Sequence, residues 1–367
     1  MSCAGQTVRH HAPVLGTRAA CHRPRGDLPS GLMPQPLLSV VVPAYDQQGQ
    51  LAECLDSILD QSFGGFEVIV VADRSAQSPA AVAQTADDRV SVLRLNAAVG
   101  VGRARNAGAA RAQGRYLLFL DADHLVTPGA FLTLADRLRA EPEAEVVLFG
   151  HTRLHRERVW PGAAQAVLGG LGAAAFTPVE RPEVFGVPAQ AWDRLISREL
   201  WMDAQLAFPD GRYEEISVVH QALLRARRAV ALADELVQLR RRQTVHPTAS
   251  PGASEFDLFD QYERSFELLN GLSLTAADLV RPFLFRRMVQ HYLFVLDLAG
   301  CVSRAERPQF FHRAAEHYRR LLPEGFRRPG GREGVKFSLL AGGSYSAFEV
   351  AKLTQIARTA VTGRNAS

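Results

Sequence analysis

The sequence has few of the features that mark membrane or strongly cationic proteins. Lysine occurs only at Lys336 and Lys352, so nearly all of the basic charge is arginine. The longest apolar candidate, YLFVLDLAG, contains Asp297 and falls well short of the roughly 20 residues that a membrane-spanning helix needs. The sequence therefore predicts no transmembrane segment, although association with the inner face of a membrane stays open.

Cysteine is also scarce, and its spacing excludes two kinds of site. The four cysteines are Cys3, Cys21, Cys54 and Cys301, and they form no CxxC or other metal-ligand spacing. This pattern predicts neither a disulfide framework nor a zinc site, and it is typical of a reducing compartment. We expect a cytoplasmic protein.

The net charge of +4 over 367 residues does not indicate a nucleic-acid partner. Residues 1–36 hold four arginines against Asp27, so most of the surplus lies there, and no basic stripe interleaved with aromatic residues follows. The same segment lacks the apolar core of a secretory signal. We expect residues 1–36 to be a disordered tail, with Met33 as an alternative to Met1 as the start of translation.

The rest of the chain alternates between apolar strands and amphipathic helices. Strands are predicted at LLSVVVPAY (37–45), FEVIVVADRS (66–75), VSVLRLN (90–96), RYLLFLDAD (115–123) and EVVLFGHTRL (145–154). The helix GRARNAGAARAQG is expected to end at Gly114 as its C-cap, and Thr127 and Pro128 are expected to open the next helix. This order predicts an α/β fold with a mostly parallel sheet and helices on both faces.

Beyond residue 150 the pattern is looser. RRQTVHPTASPGAS (241–254) has the composition of a linker, and helices are predicted after it. One of these is expected to begin at Pro282 and to end at Gly300.

Several chemically distinctive residues fall at the carboxyl ends of the predicted strands, where ligands bind in sheets of this kind. They are the segment Pro43–Tyr45, Asp73, and the pair Asp121 and Asp123. In extended backbone two aspartates separated by one residue point to the same side. Because two carboxylates cannot complete the shell of Mg²⁺ or Mn²⁺, the pair predicts an ion shared with a diphosphate. The competing interpretation is that these aspartates only end a strand and cap a turn.

The segment GVGRARNAG (100–108) follows a strand and opens a helix, as a dinucleotide-binding loop would. Arg105 stands where the third glycine of GxGxxG is required, and no Walker sequence is present. A hydride-transfer enzyme is therefore disfavoured. Arg105 could face a nucleotide, or it could lie on the surface of this helix.

The segment DGRYEEISVV places Glu214 and Glu215 in the first turn of a helix. Acidic residues are common there because they complement the helix dipole. A carboxylate at that position is expected to stay ionised, which suits a general base.

Other residues that could bind metals or sugars are less specific. Among His124, His151, His155, His220 and His246, only His246 is retained as a metal-site candidate. Trp192 and Trp201 occur at near-helical spacing and are expected to pack in the core.

The order of VVPAY, FEVIVVADRS, ARNAGAARAQGRYLLFLDADH and FPDGRYEEI resembles that of the family 2 glycosyltransferases, which are inverting enzymes with a GT-A fold. The resemblance covers residues 37–249. It implies a nucleotide-sugar site made by Pro43, Ala44, Tyr45, Asp73, Arg105 and Asp121, a metal site at Asp121 and Asp123, and a catalytic pair at Glu214 and Glu215.

Two departures from the family pattern qualify this resemblance. The acidic pair is normally Glu-Asp, so Glu215 as the base is one methylene longer than usual. Gln238 and Arg241 resemble the QxxRW box of processive synthases, but Arg242 replaces the tryptophan, which disfavours a processive polymerase. Residues 250–367 resemble the helical region of actinobacterial glycosyltransferases of the teichoic-acid type.

The resemblance implies a metal-dependent inverting transferase that uses Mn²⁺ or Mg²⁺. It would move a sugar from a nucleotide-diphosphate-sugar to a hydroxyl of a saccharide, polyol-phosphate or lipid-linked acceptor, in cell-wall or surface glycopolymer synthesis. Two alternatives stay open. One is a nucleotidyltransferase, although its GGxGTRL-like loop is missing, and the other is a binding module without catalysis.

Overall fold

The computed structural model describes residues 35–44, 48–72, 87–155, 158–240, 254–298 and 300–352. Its strands are β1 (Leu38–Ala44), β2 (Phe66–Ala72), β3 (Val90–Arg94), β4 (Tyr116–Phe119), β5 (His124–Val126), β6 (Val146–His155), β7 (Arg158–Pro161), β8 (Arg194–Ser197) and β9 (Ala229–Arg240). Its α-helices are α1 (Gln48–Leu59), α2 (Val101–Arg111), α3 (Ala130–Ala140), α4 (Gln165–Leu171), α5 (Arg198–Asp203), α6 (Glu215–Arg225), α7 (Asp257–Glu267), α8 (Leu274–Asp297), α9 (Arg307–Leu321) and α10 (Gly331–Gly342).

These strands form one sheet in the order β3-β2-β1-β4-β8-β6-β9-β5, with β7 paired to β6. The pairs β1–β2, β1–β4, β2–β3 and β6–β9 are parallel. Strand β8 is antiparallel to both β4 and β6, and β5 is antiparallel to β9. The predicted α/β fold is confirmed, with antiparallel pairs added beside the parallel ones.

Both faces of the sheet are covered, as the continuous apolar runs require. On β1, Val41 belongs to one core cluster, while Val40 and Val42 belong to a second cluster across the sheet. The first cluster includes residues of α2, α6 and the helices after residue 254, and the second includes residues of α1 and α3. The C-terminal helices and one face of the sheet therefore share a continuous core. The proposed division into domains at residues 249 and 250 stays a prediction.

The helical C-terminal region is confirmed, but both ends of its long helix differ from the expectation, because α8 ends at Asp297 and not at Gly300. Helix α8 begins at Leu274, where the Oγ of Ser273 accepts a hydrogen bond from Ala276 N at 3.3 Å, and Pro282 lies inside the helix. The strong N-cap fixes the start two turns before the proline. No helix in the described part of the chain combines the length and the apolarity that crossing a bilayer requires.

The start of α3 also differs from the expectation. The helix begins at Ala130, after Gly129 in a left-handed conformation (φ 79°). The Oγ1 of Thr127 donates to the carbonyl of Glu235 at 3.1 Å, while the side-chain oxygen of Gln61 accepts from Phe131 N at 3.1 Å. A residue distant in sequence therefore satisfies the helix end that Thr127 was expected to cap.

Gly114 is not the C-cap of α2, because that helix ends at Arg111. A Cβ at Gly114 would lie 2.6 Å from the Oγ and 2.7 Å from the backbone N of Ser39, on β1. The N–H of Gly114 donates to that Oγ at 2.8 Å. Glycine is needed here because two backbone segments approach closely.

Replacing Gly114 by Ala should therefore destabilise the protein by about 1–3 kcal/mol, the usual cost of forcing extra atoms into a packed site. Urea unfolding measures the effect. Gly169→Ala is the matched control, because Gly169 lies in α4 with no atom within 4 Å of an added Cβ. That variant should gain up to about 1 kcal/mol from the better helix propensity of Ala. Equal effects of the two substitutions would contradict the close approach at Gly114.

Candidate active site

Asp121 and Asp123 follow β4 at its carboxyl end, and they lie in a turn rather than in extended backbone. His124 N donates to the carbonyl of Asp121 at 2.9 Å and closes this turn. A carboxylate oxygen of each aspartate and a ring nitrogen of His124 all lie within 4.8 Å of one another. The two carboxylates lie close together, as predicted. A turn brings them together, and not the alternation of side chains along an extended strand.

His124 is a component of this group that the sequence analysis set aside. It begins β5, and its Nε2 lies 3.7 Å from Oδ1 of Asp123. The ring packs edge-on against Trp192, with 4.9 Å between centroids, and this contact fixes its orientation. Its position directly after the aspartate pair was the available signal in the sequence.

Two carboxylates and one imidazole within this spacing are a donor set that fits Mn²⁺ or Mg²⁺, provided that other oxygen ligands complete the shell. Asp123 is buried and Asp121 is partly exposed, so the group is open on the side of Asp121. The residues present therefore fit the predicted divalent ion.

Arg105 lies at the centre of the site rather than on the surface. Its side chain is only 3% exposed. One terminal nitrogen donates to Asp121 at 2.7 Å, and the other donates to Glu214 at 2.8 Å and to Glu215 at 3.4 Å. A single guanidinium thus connects the end of β4 to the first turn of α6.

The electrostatics of this cluster follow from three carboxylates around one cation. Burial acts to lower the pKa of Arg105, but Asp121, Glu214 and Glu215 outweigh it and raise that pKa above its usual value. Burial, followed by the charge of Glu214, raises the pKa of Glu215 to about 8, against the opposing effect of Arg105. Burial likewise raises the pKa of Glu214. Burial and the charge of Glu214 thus oppose the ionisation that was expected at the helix N-terminus.

The GVGRARNAG segment serves to hold the acidic pair close to α2. A Cβ on Gly102 would lie 3.0 Å from Cγ of Glu214, so the missing side chain leaves room for that residue. Asn106 donates to the carbonyl of Phe208 at 2.8 Å and accepts from its N–H at 2.9 Å. The glycine and the asparagine therefore position the loop before α6.

The C-terminal helices fix the same loop from the other side. Tyr213 has a left-handed backbone (φ 60°), which is uncommon for a residue with a side chain. Its hydroxyl bonds to Glu255, whose carboxylate also pairs with Arg212 at 3.0 Å. The N–H of Arg212 donates to Asp257 at 2.9 Å. Residues at the start of α7 thus hold the turn that delivers Glu214.

Helix α6 itself is bonded to α7 by two buried polar pairs. Ser217 donates to Gln261 at 2.8 Å, and His220 Nδ1 lies 2.9 Å from the Oγ of Ser265. Burial lowers the pKa of His220 to about 3, so this ring is neutral and part of the packing. These pairs fix the helix whose first turn carries Glu215.

The remaining predicted residues fall into three groups. Pro43 and Ala44 lie at the carboxyl end of β1, paired in register with Val71 and Ala72. Residues outside the described ranges are Tyr45, Asp73, Arg241 and His246, so their predicted roles stay predictions. Trp192 and Trp201 are 5% and 6% exposed and pack in the core as expected.

A mostly parallel sheet with an aspartate pair after its fourth strand and an acidic pair opening a later helix is the architecture of GT-A glycosyltransferases. Residues 39–174 match the family model for "Glycosyl transferase family 2". The chain therefore contains a family 2 glycosyltransferase domain at residues 39–174, and it carries a C-terminal helical region. The protein is a glycosyltransferase.

Individual relatives agree with this assignment. Glycosyltransferase GlyG of Streptococcus pneumoniae is 27% identical over 237 residues, which are 60% of this chain and 75% of that protein. The putative teichuronic acid biosynthesis glycosyltransferase TuaG of Bacillus subtilis is 38% identical over 92 residues, or 24% of this chain and 36% of that one.

Among solved structures, S. aureus TarS 1–349 in complex with UDP-GlcNAc superposes with a TM-score of 0.63 at 22% identity. The superposition covers 78% of this chain and 82% of that one. At this identity the likeness concerns the fold.

Proposed function

We propose that this protein is a metal-dependent inverting glycosyltransferase. The observation that carries the proposal is the meeting, at one edge of the sheet, of a divalent-ion group (Asp121, Asp123 and His124) and an acidic pair joined to it through Arg105. A single-displacement sugar transfer can use both groups. The divalent-ion group stabilises the negative charge that leaves with the nucleotide, and the acidic pair removes a proton from the acceptor.

Asp121, Asp123 and His124 are the residues that would hold Mn²⁺ or Mg²⁺. When bound, the ion supplies Lewis-acid stabilisation of the negative charge that develops on the leaving diphosphate. Arg105 already pairs with Asp121, and we expect it to orient that carboxylate toward the ion.

Glu215 is the proposed general base, with Glu214 beside it. The side chain of Glu215 is 20% exposed, whereas that of Glu214 is 5% exposed, so Glu215 is the more accessible to an incoming hydroxyl. A raised pKa makes its carboxylate a stronger proton acceptor than an ordinary glutamate. As the acceptor oxygen bonds to the anomeric carbon from the face opposite the diphosphate, its proton passes to Glu215 and the configuration inverts.

The donor in this proposal is a nucleotide-diphosphate-sugar, held by Pro43, Ala44, Tyr45, Asp73, Arg105 and Asp121. Support comes from the structural neighbour TarS, whose crystals contain UDP-GlcNAc. The relative TuaG is described as a putative teichuronic acid biosynthesis enzyme. We therefore propose a cell-wall or surface glycopolymer pathway, with a saccharide, polyol-phosphate or lipid-linked acceptor.

The metal assignment predicts the effect of Asp123→Asn. Removing one anionic ligand should weaken Mn²⁺ binding at least about tenfold, about 1.4 kcal/mol. Electron paramagnetic resonance of free Mn²⁺ in a titration measures the binding directly, and nucleoside diphosphate release measures turnover. Asp136→Asn is the matched control, because Asp136 is 57% exposed on α3 and away from the site. Unchanged Mn²⁺ affinity in the Asp123 variant, or full turnover in EDTA, would contradict the assignment.

The same assay separates the proposal from its alternatives. A thermal-shift screen of nucleoside diphosphates with Mn²⁺ first identifies the nucleotide. Release of inorganic diphosphate in place of a nucleoside diphosphate would indicate a nucleotidyltransferase. Tight nucleotide binding without transfer or hydrolysis of any nucleotide-sugar would indicate a binding module.

A further inference from the structure

An exposed tryptophan lies on β7, the strand that pairs with the end of β6. Trp160 is 55% exposed and its neighbour Val159 is 53% exposed, whereas the other two tryptophans are buried in the core. Tryptophan is enriched at binding interfaces because its ring combines a large apolar surface with one hydrogen-bond donor. Its position relative to the candidate active site decides what it could bind.

The strand register connects Trp160 to that site in one row across four strands. Trp160 pairs with Arg153 on β6, Arg153 pairs with Leu239 on β9, and Leu239 pairs with His124 on β5. Residues at paired positions project from the same face of a sheet. Three strand spacings separate Trp160 from His124, which is about 14 Å. The indole therefore lies on the same face as the metal-site candidate, at a distance of more than one sugar ring.

The histidines on this face pack against one buried ring. Trp192 lies between His124 and His151, with ring centroids 4.9 Å and 4.6 Å away. Gly162 has no side chain, and a Cβ there would lie 2.5 Å from the His151 ring. The end of the row nearest the candidate active site is thus held in place by packing, while Trp160 and Arg153 at the other end are exposed.

The chemistry of the row indicates the class of ligand. Arg153 is exposed, and no ion pair joins it to a carboxylate among the described residues. The apolar face of a sugar ring packs on an indole, and a guanidinium binds a carboxylate or phosphate through paired hydrogen bonds. A neutral glycan would use only the indole, whereas an anionic glycan would use both side chains.

We propose that Trp160 and Arg153 form an acceptor subsite for an anionic glycan chain. They bind a part of the chain that is distant from the hydroxyl that receives the sugar. The inference rests on the proposed function and deepens it by naming the acceptor class. A sugar ring packs on Trp160, and its carboxylate or phosphate pairs with Arg153. The rest of the glycan leads from β7 toward the site of transfer.

The test uses three soluble probes: oligogalacturonate, a glycerol phosphate oligomer and the neutral maltohexaose. Because Trp160 is the exposed tryptophan, acrylamide quenching of intrinsic fluorescence reports directly on its coverage. At least one anionic probe should shield Trp160 saturably, and maltohexaose should not. Whichever anionic probe binds identifies the source of the charge as uronate or phosphate.

Calorimetric titration of variants completes the test. Trp160→Ala and Arg153→Gln should each weaken binding of the anionic probe at least tenfold, and Val159→Ala, on the same strand, should leave it unchanged. The inference is overturned if neither anionic probe shields Trp160, or if maltohexaose shields it equally. It is also overturned if shielding depends on protein concentration alone, because a second copy of the chain would then cover this edge.

Failure of this inference is distinguishable from failure of the proposed function. Hydrolysis of the nucleotide-sugar by the wild-type protein in the absence of acceptor reports on the donor site alone, because the donor residues lie elsewhere. Donor turnover without shielding rejects the subsite alone. Shielding without donor turnover rejects the transferase mechanism and leaves the glycan-binding surface in place.

Discussion

Glu215→Gln is expected to lower kcat by about 10²–10⁴, the range typical of losing a general base. The amide keeps the size of the carboxylate and can still contact Arg105, so the fold and donor binding should be retained. The measurement is nucleoside diphosphate release with the donor and acceptor found by screening, with donor affinity measured separately. Turnover within a few-fold of the wild-type rate would place the base elsewhere.

The pH dependence of the wild-type enzyme provides an independent check. Because the pKa of Glu215 is raised to about 8, the carboxylate is increasingly protonated below that pH. The free-enzyme parameter kcat/KM should therefore rise with pH and level off above about 8. The Gln variant should lack this rise. Glu199→Gln is the matched control, since Glu199 is an exposed glutamate in the first turn of α5, and it should change neither rate nor profile.

Arg105→Met is expected to destabilise the protein by about 3–5 kcal/mol, the cost of leaving buried charges without their partner. Asp121, Glu214 and Glu215 would then face one another without a counter-charge. Urea unfolding measures the loss. Arg103→Met is the matched control, because Arg103 lies two residues earlier on α2 and pairs with Asp210 where both side chains are more than half exposed. That variant should have no measurable effect on stability.

The sign of the pH effect distinguishes loss of charge from loss of packing. Without Arg105 the folded-state pKa values of the two glutamates rise further above their unfolded values. Carboxyl groups whose pKa is raised on folding destabilise the protein as pH rises above the unfolded value, which is about 4.3 for glutamate. Because the pKa of Glu215 is already about 8 in the wild type, the difference between wild type and Arg105→Met should grow as pH rises past about 8. A loss that is constant with pH would indicate that the guanidinium acts by packing alone.

The elements that follow from local pattern were predictable from the sequence. Buried runs of β-branched residues predicted β1, β2 and β6. The aspartate pair and the acidic pair were identified because the first follows the fourth predicted strand and the second opens a predicted helix. Periodicity and strand ends are local properties, so one sequence is enough to find them.

Contacts between distant segments were not predictable in the same way. Gln61 replaces Thr127 at the start of α3, and Gly114 is needed for its approach to β1 and not for a helix end. Arg105 could not be placed between the aspartate and the glutamates from spacing, because its partners lie 16 and more residues away. His124 was missed because a histidine beside an aspartate pair is identified as a ligand only once its neighbours in space are known.

The left-handed residue Tyr213 has a consequence for how this chain can be divided. Such a backbone conformation costs of order 1–3 kcal/mol and persists only where surrounding contacts require it. Here those contacts come from Glu255 and Asp257, which lie beyond the sheet in sequence. A fragment that ends after β9 would lack them, and its acidic turn would relax toward ordinary backbone angles. Dividing the chain after β9 would therefore expose the sheet face that packs on the C-terminal helices and would also release the turn that carries Glu214.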